Sequence, residues 1–296
     1  MPSGLADAVI GAYQVKQVQS VDLSPNLVAT THRYSGGVVV QQVDITSGDP
    51  VVTIATQDIA GFVAGLSATV GLAVASGTVT IPVQDRTAGG LYVSNGSNYS
   101  MSFTDGLAVP VTISASQDNE QGAVATIEFH GASTDGLTNP ITNNTTVTIA
   151  SQAFNVVHDL GPVKLNSTTA AGVKSSTVNF GFTVSKQRYS GCPFCTIGGI
   201  TINEVNPSFD FTFEDAASMH AFTTLLAISS TCIAYFRKRT AGGLRVANIT
   251  AEHVACTLTG GLAAMQSSSV QSTGNYEFGI RVTGKTLAFS STSAIS

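Results

Sequence analysis

The chain has 296 residues, enough for one large domain or for two of about 150, and either size buries a stable core. Only 10% of the residues are charged, against roughly 25% in ordinary soluble domains. The net charge of −5 argues against a general nucleic-acid binder.

A surface this short of charge implies membrane insertion, a fibrous assembly, or burial in contacts between copies of the chain. The start, MPSGLADAVIGAYQ, has no basic residues and no long apolar run, so no signal peptide is expected. Strand-like runs follow at residues 38–45 and from Val51 on, where Val52 and Ile54 alternate with Val51 and Thr53. Ile59, Phe62, Val63 and Leu66 then take the i, i+3, i+4, i+7 spacing of one helix face. The uncharged run 59–84 is long enough to cross a bilayer. It is broken by Gly61, Gly65, Gly71, Gly77 and Pro82 and changes period partway, so no membrane span is expected.

Period two returns at Val79, Ile81 and Val83, and RTAGGL at 86–91 supplies a Gly-Gly turn into the next strand. Further strands are expected at 99–103, 108–114 and 123–129, and the Thr/Asn-rich stretch 136–146 reads as a linker or long loop. The second half offers strands at 199–203, at Phe209, Phe211 and Phe213, at Ile233 and Tyr235, and at 253–259 and 276–282. Its helix is expected at Met219, Phe222 and Leu226, behind the acids Glu214 and Asp215. RTAGGL then recurs at 239–244, again expected to turn into a strand, at 244–246.

The recurrence is not isolated. RYSG stands at 33–36 and 188–191, DPVVTIATQD at 49–58 matches NPSFDFTFED at 206–215, and IEFHG at 127–131 matches IRVTG at 280–284. Four landmarks in one order, at offsets of 153 to 157, point to duplication of a whole domain. The expected fold is mainly β: two tandem duplicated β-sandwich or open-barrel domains, 1–146 and 147–296, each with one flanking α-helix. Ser, Thr and Val strands without Lys or Pro guards leave sheet edges open to pairing with other chains.

Chemistry is scarce. Cys192 and Cys195 form a CxxC, and His253 with Cys256 adds an HxxC, so a Cys3His zinc site and a CxxC redox pair stand beside ordinary buried thiols. Residues three apart on an alternating strand point to opposite faces, and YSGGVVV in the first half lacks the thiols, which favours ordinary thiols. No nucleophile, base and acid set assembles, no phosphate loop occurs, and neither an enzyme nor a cofactor is expected. Gly36-Gly37, Gly89-Gly90, Gly198-Gly199 and Gly260-Gly261 read as plain turns, and Asp44, Asp49 and Asp58 as turn and cap residues.

Residues 1–150 carry 3 basic and 11 acidic side chains and residues 151–296 carry 10 and 7, a split of −8 against +3. The dense cluster Arg237, Lys238 and Arg239, with Arg245 nearby, reads either as a contact to the acidic half of a neighbouring subunit or as a solvated strand end. Arg33, Tyr34, Arg86, Arg188 and Tyr189 join it as interface candidates through their repeated places.

In its order of strand, helix, strand and Gly-Gly turn, the chain resembles a phage tail tube protein of the duplicated kind. That resemblance implies three subunits per ring mimicking a hexamer, rings stacked into a hollow tube, and other tail proteins as partners. It further implies DNA passing through without sequence-specific binding and a place in the virion tail, assembled in the host cytoplasm. It also implies a long hairpin in each half, for which residues 38–53 and 196–211 are available. A collar, distal tail or capsid-decorating protein shares these features. An adhesin or carbohydrate-binding β-sandwich pair is the other class, disfavoured by the absence of Trp and the 7 Tyr, because aromatic anchors dominate such sites.

Overall fold

The computed structural model describes residues 3–5, 7–11, 13–33, 35, 42–66, 75–85, 98–118, 122–145, 147, 157–165, 168–170, 172–214, 227–240, 242–270 and 276–296. The chain is mainly β, with large antiparallel sheets and, among the described residues, one α-helix. The first half begins with β1 (Ser3–Leu5), β2 (Ala8–Ile10), β3 (Tyr13–Val15), β4 (Val18–Ser24) and β5 (Val28–His32). After these come β6 (Gln42–Ser47), β7 (Val51–Thr56), the helix α1 (Ile59–Leu66), β8 (Ala75–Ser76) and β9 (Val79–Asp85). It ends with β10 (Tyr99–Phe103), β11 (Asp105–Ser116), β12 (Val124–Ala132) and β13 (Ile141–Asn144). The second half holds β14 (His158–Leu165), β15 (Thr168–Ala170), β16 (Val173–Asn179), β17 (Phe182–Lys186), β18 (Ile200–Val205) and β19 (Ser208–Phe213). It closes with β20 (Ala227–Lys238), β21 (His253–Val270), β22 (Tyr276–Thr283) and β23 (Thr286–Ser293).

One sheet runs through both halves in the order β15-β14-β20-β21-β22-β19-β16-β11-β12-β7-β4. Within it the block β4-β7-β12-β11 is matched, in the same order, by β16-β19-β22-β21. The match reaches the irregularities. Register shifts between Val18 and Ser20 on β4 and between Pro110 and Thr112 on β11 recur between Val173 and Ser175 on β16 and between Met265 and Ser267 on β21. Positive φ recurs at the same spacing of 155, at Gln17 and Gly172 and at Asn26 and Gly181. Gln57 N–H donates to Gln17 O and Glu214 N–H to Gly172 O, while Gly131 N–H donates to Pro50 O and Gly284 N–H to Pro207 O.

The core side of this sheet is apolar by alternation. Val52, Ile54, Ile127 and Phe129 in the first half, and Phe209, Phe211, Phe213 and Val282 in the second, are buried in a single cluster that spans both halves. Asp58 caps α1 by accepting from Gly61 N–H at 2.9 Å, as expected of an acid at a helix start. Phe62 on α1 meets Phe180 edge to face at 5.9 Å, and Phe180 meets Phe289 at 6.1 Å, so the helix seals the seam between the halves.

Several expectations are corrected. Residues 38–53 and 196–211 are not hairpins: β6 pairs with β5 and β18 with β17, while β7 and β19 join the large sheet. The stretch 136–146 is not a bare linker, because β13 pairs with β10 from Phe103 opposite Ile141 to Ser100 opposite Asn144. Gly260-Gly261 is not a turn. β21 continues through it, with Gly260 at φ 67° and a Cβ on Gly261 falling 2.1 Å from Thr283 O, so the close strand approach requires glycine there. RTAGGL at 239–244 does not lead into a strand but closes a tight loop, with Thr240 N–H donating to Leu244 O at 2.7 Å and an isolated bridge between Arg239 and Arg245. The first RTAGGL, the strand expected at 91–93 and the helix expected at 219–226 lie outside the described residues.

Candidate assembly interface

The halves meet along two surfaces. The first is an edge: β11 pairs with β16 from Thr112 opposite Asn179 to Ser116 opposite Ser175, which makes the two blocks one sheet. The second is the β17-β18 hairpin, which follows β16 directly and lies over β11. A hairpin alone in water is marginal. This one is held by apolar packing, for Ile200 is 9% exposed in a cluster with Ala132 and Cys195, against which Leu107, Val184 and Ile197 pack.

The loop between β17 and β18 adds backbone contacts to the first half. Gly48 N–H donates to Pro193 O at 2.8 Å, Ser133 N–H to Cys195 O at 2.8 Å, and Phe194 N–H to Gly136 O at 3.0 Å. Lys186 on β17 pairs with Asp49, which lies in the connection between β6 and β7. The CxxC thus belongs to a docking loop.

The matching elements of the first half are uncovered. The β5-β6 hairpin carries its register shift between Val28 and Ala29, as β17-β18 does between Thr183 and Val184, and this places Val43 where Ile200 stands and Ile45 where Ile202 stands. Val43 is 60% exposed and Ile45 44%. On the second half, Leu262 and Met265 stand where Leu107 and Pro110 stand on β11, and they are 52% and 48% exposed. Exposed apolar side chains grouped this way mark an interaction surface. Sequence reasoning missed all four, although laying residues 28–47 against 183–204 would have exposed the contrast.

No protein-family model matches the chain, and no curated protein matches its sequence. Its geometry must carry the functional reading alone.

The interface candidates from the sequence fall in three places. Arg33, Arg188 and Tyr189 are exposed, and Tyr34 and Arg86 lie outside the described residues. The basic cluster is engaged within its own chain: Arg239 pairs with the buried Asp159, Arg245 approaches the same carboxylate at 3.7 Å, and Lys238 meets Glu252 at 2.9 Å. Arg237 Nε donates to Val246 O at 3.2 Å. All four side chains thus have partners within the chain.

The proposed zinc ligands have other employment. His253 is fully buried, accepts from Lys238 N–H at Nδ1 at 3.1 Å and faces Ala247 O through Nε2 at 3.0 Å. Both ring nitrogens are therefore used, with the proton on Nε2. Burial pushes the Cys256 thiol up to about 12 and raises Cys232 as well, and Cys195 is raised mainly by burial, so all three are protonated and unreactive at neutral pH. Among the described residues no group of three or more His, Cys, Asp or Glu is placed to hold a metal.

A cavity of about 620 Å³ beside α1 gathers Lys16, Asp58, His158, Lys238 and Glu252. Asp58 is occupied capping the helix and Lys238 pairing with Glu252, and burial lowers His158 to about 4, leaving it neutral at pH 7. His130, under the β17-β18 hairpin, is lowered to about 4 by burial and then by Lys186. Its approach to Glu128 at 3.7 Å is consequently not an ion pair at neutral pH. No helix among the described residues is long and apolar enough to cross a membrane.

Proposed function

We propose that the chain is a structural virion protein, the major tail tube subunit of a phage, in which two copies of one β domain, 1–146 and 147–296, form successive blocks of a ring. The observation that carries this reading is the edge-to-edge joint of β11 with β16 between blocks that share strand order, register shifts and positive-φ positions. A joint between equivalent blocks is a heterologous contact, and such contacts close into rings when the rotation allows. Three chains then supply six blocks, and stacked rings supply the tube.

The face of the sheet opposite the core supports a conduit. It presents Ser114 and Ser116 from β11, Thr177 from β16 and Thr53 from β7, with Glu128 acidic and Asp210 neutralised by Arg281 across the strands at 2.6 Å. A hydroxyl wall with a slight acidic excess, its Arg281 held by Asp210, gives phosphates little to hold, so DNA slides past it. The protein acts without catalysis or cofactor, in the virion tail, after assembly in the host cytoplasm.

Electron microscopy of the purified protein tests the reading. Rings or hollow tubes with a lumen wide enough for a duplex are expected, and a monodisperse monomer at high concentration overturns it.

A further inference from the structure

Inside each chain, one block receives two things from the other: the edge strand β16 against residues 112–116 of β11, and the apolar face of β17-β18 over Leu107. At the two ends of the molecule the corresponding parts stand open. β4, the counterpart of β16, ends the sheet path, with β7 on one side and no paired strand on the other among the described residues. Residues 263–270 of β21, the counterpart of the receiving segment of β11, pair with β22 on one side, and among the described residues the pairing with β20 on the other side reaches only Leu262. Residues 263–270, AAMQSSSV, carry no charge or proline, and β4 carries the single charge of Asp22, so both edges are open to strand addition.

We infer that β4 and the β5-β6 hairpin of one copy dock on residues 262–270 of β21 in the next copy, reproducing between chains the joint that β16 and β17-β18 make with β11 within each chain. The inference rests on the self-assembly in the proposed function and adds its partner surface and its register.

The register follows from the repeated shifts. Thr112 corresponds to Ser267 and Asn179 to Ser24, because each lies at the same step from its own irregularity. Ser267 therefore sits opposite Ser24, and the antiparallel pairing runs on to Val270 opposite Val21. In this register Val43 comes over Leu262, as Ile200 packs with Leu107 inside the chain. At the place of Ala132, which packs against Ile200, stands Lys285, whose aliphatic stem covers apolar surface while its ammonium stays in water.

The chain's own β4 cannot reach its own β21 edge. Seven strand-to-strand steps separate β21 from β4 in the sheet, about 34 Å along it at ~4.8 Å per step. The occupant that fits both the edge and the apolar patch, in one register, is a second copy.

Cross-linking reads the register directly. In a Cys192→Ser background, the pair Ser24→Cys and Ser267→Cys, oxidised after assembly, is expected to give a ladder of covalent multimers. The off-register pair Asp22→Cys and Ser267→Cys is expected to give far less, because opposed residues bring their Cβ atoms within disulfide reach and two residues' shift does not. Val43→Asp supplies a second arm: the folded monomer persists by circular dichroism while the concentration needed for assembly rises at least about tenfold. Rings or tubes that form without the on-register ladder, or that tolerate Val43→Asp, overturn this inference and leave the proposed function standing. Wild-type protein that never assembles overturns both.

Discussion

The two hairpins of this chain share a plan and differ in circumstance. β17-β18 buries Ile200 against Ala132 and Cys195, whereas β5-β6 holds Val43 at the same place with 60% of its surface in water. Their strands have the same register shift and leave the sheet after the same kind of positive-φ residue, Gly181 in one and Asn26 in the other. The difference is therefore one of partner, since the second-half hairpin finds its receiving face within the chain and the first-half hairpin does not. One position in the fold is buried by the chain itself in one half and left in water in the other.

Substitution at the paired positions separates these roles most sharply. Ile200→Asp removes apolar packing and places a carboxylate in the seam between halves, opposite a Lys186 already paired with Asp49, and is expected to cost about 2–4 kcal/mol of folding stability. Val43→Asp, at the corresponding exposed position, is expected to change the stability of dilute protein by no more than about 0.5 kcal/mol. Urea unfolding of the two variants at low concentration measures both, and equal effects would break the comparison.

Acid tests the covered seam next. His130 and His158 are held near 4 by burial, below their ordinary value of 6.5, so the folded state binds fewer protons than the unfolded one as pH falls. Their stability contribution is full above about 6.5 and is lost as pH drops toward 4, amounting to about 2 kcal/mol each at pH 5. The urea midpoint is expected to fall between pH 7.5 and pH 5, and His130→Gln to remove about half of that dependence. Because Thr283 occupies the place of His130 in the second half, the uncovered surface lacks this sensitivity. A flat profile would mean that neither imidazole is kept neutral by burial.

Arg239 sharpens the comparison from the hexapeptide side. Its guanidinium pairs with Asp159, whose side chain is 6% exposed, so Arg239→Ala is expected to cost about 1–3 kcal/mol by leaving a buried carboxylate with the more distant Arg245 at 3.7 Å. Asp159→Asn in the same background should recover part of the loss, as measured by thermal unfolding. The sequence alone suggested that this arginine would hold neighbouring subunits, and on that account assembly rather than stability would suffer.

Much of the fold was legible because its signals are strong and local. Phe209, Phe211 and Phe213 alternate with polar residues and are buried as the alternation requires, and Ile59, Phe62 and Val63 form the buried face of α1. The pairing partners of β6 and β18 were not legible, because β5 and β17 are five-residue runs, too short to single out as strands. Nor could residue types disclose the shared backbone: Gln17 and Asn26 adopt positive φ where the second half uses Gly172 and Gly181. Gly260-Gly261 misled because the residues that suit a turn also suit a close strand crossing. The apolar patches were missed since exposure depends on what the rest of the chain covers, which no single segment records.

The smallest expected effect lies where the two halves solve one problem with different chemistry. At the register shift beside the edge strand, Gln19 Nε2 donates to Gln57 Oε1 at 3.3 Å in the first half, and Lys174 meets Glu214 at 3.2 Å at the corresponding place in the second, with Glu277 at 3.3 Å completing the cluster. Both carboxylates raise the Lys174 pKa, yet the group is open to solvent, where ion pairs add little and salt screens them. Replacing the charged pair by its neutral counterpart, Lys174→Gln with Glu214→Gln, is thus expected to leave the urea midpoint unchanged at physiological salt. The swap alters only the salt dependence, which flattens. A clear loss of stability would show that the second half relies on this cluster in a way the first does not, and that the likeness between the two edges ends at their backbones.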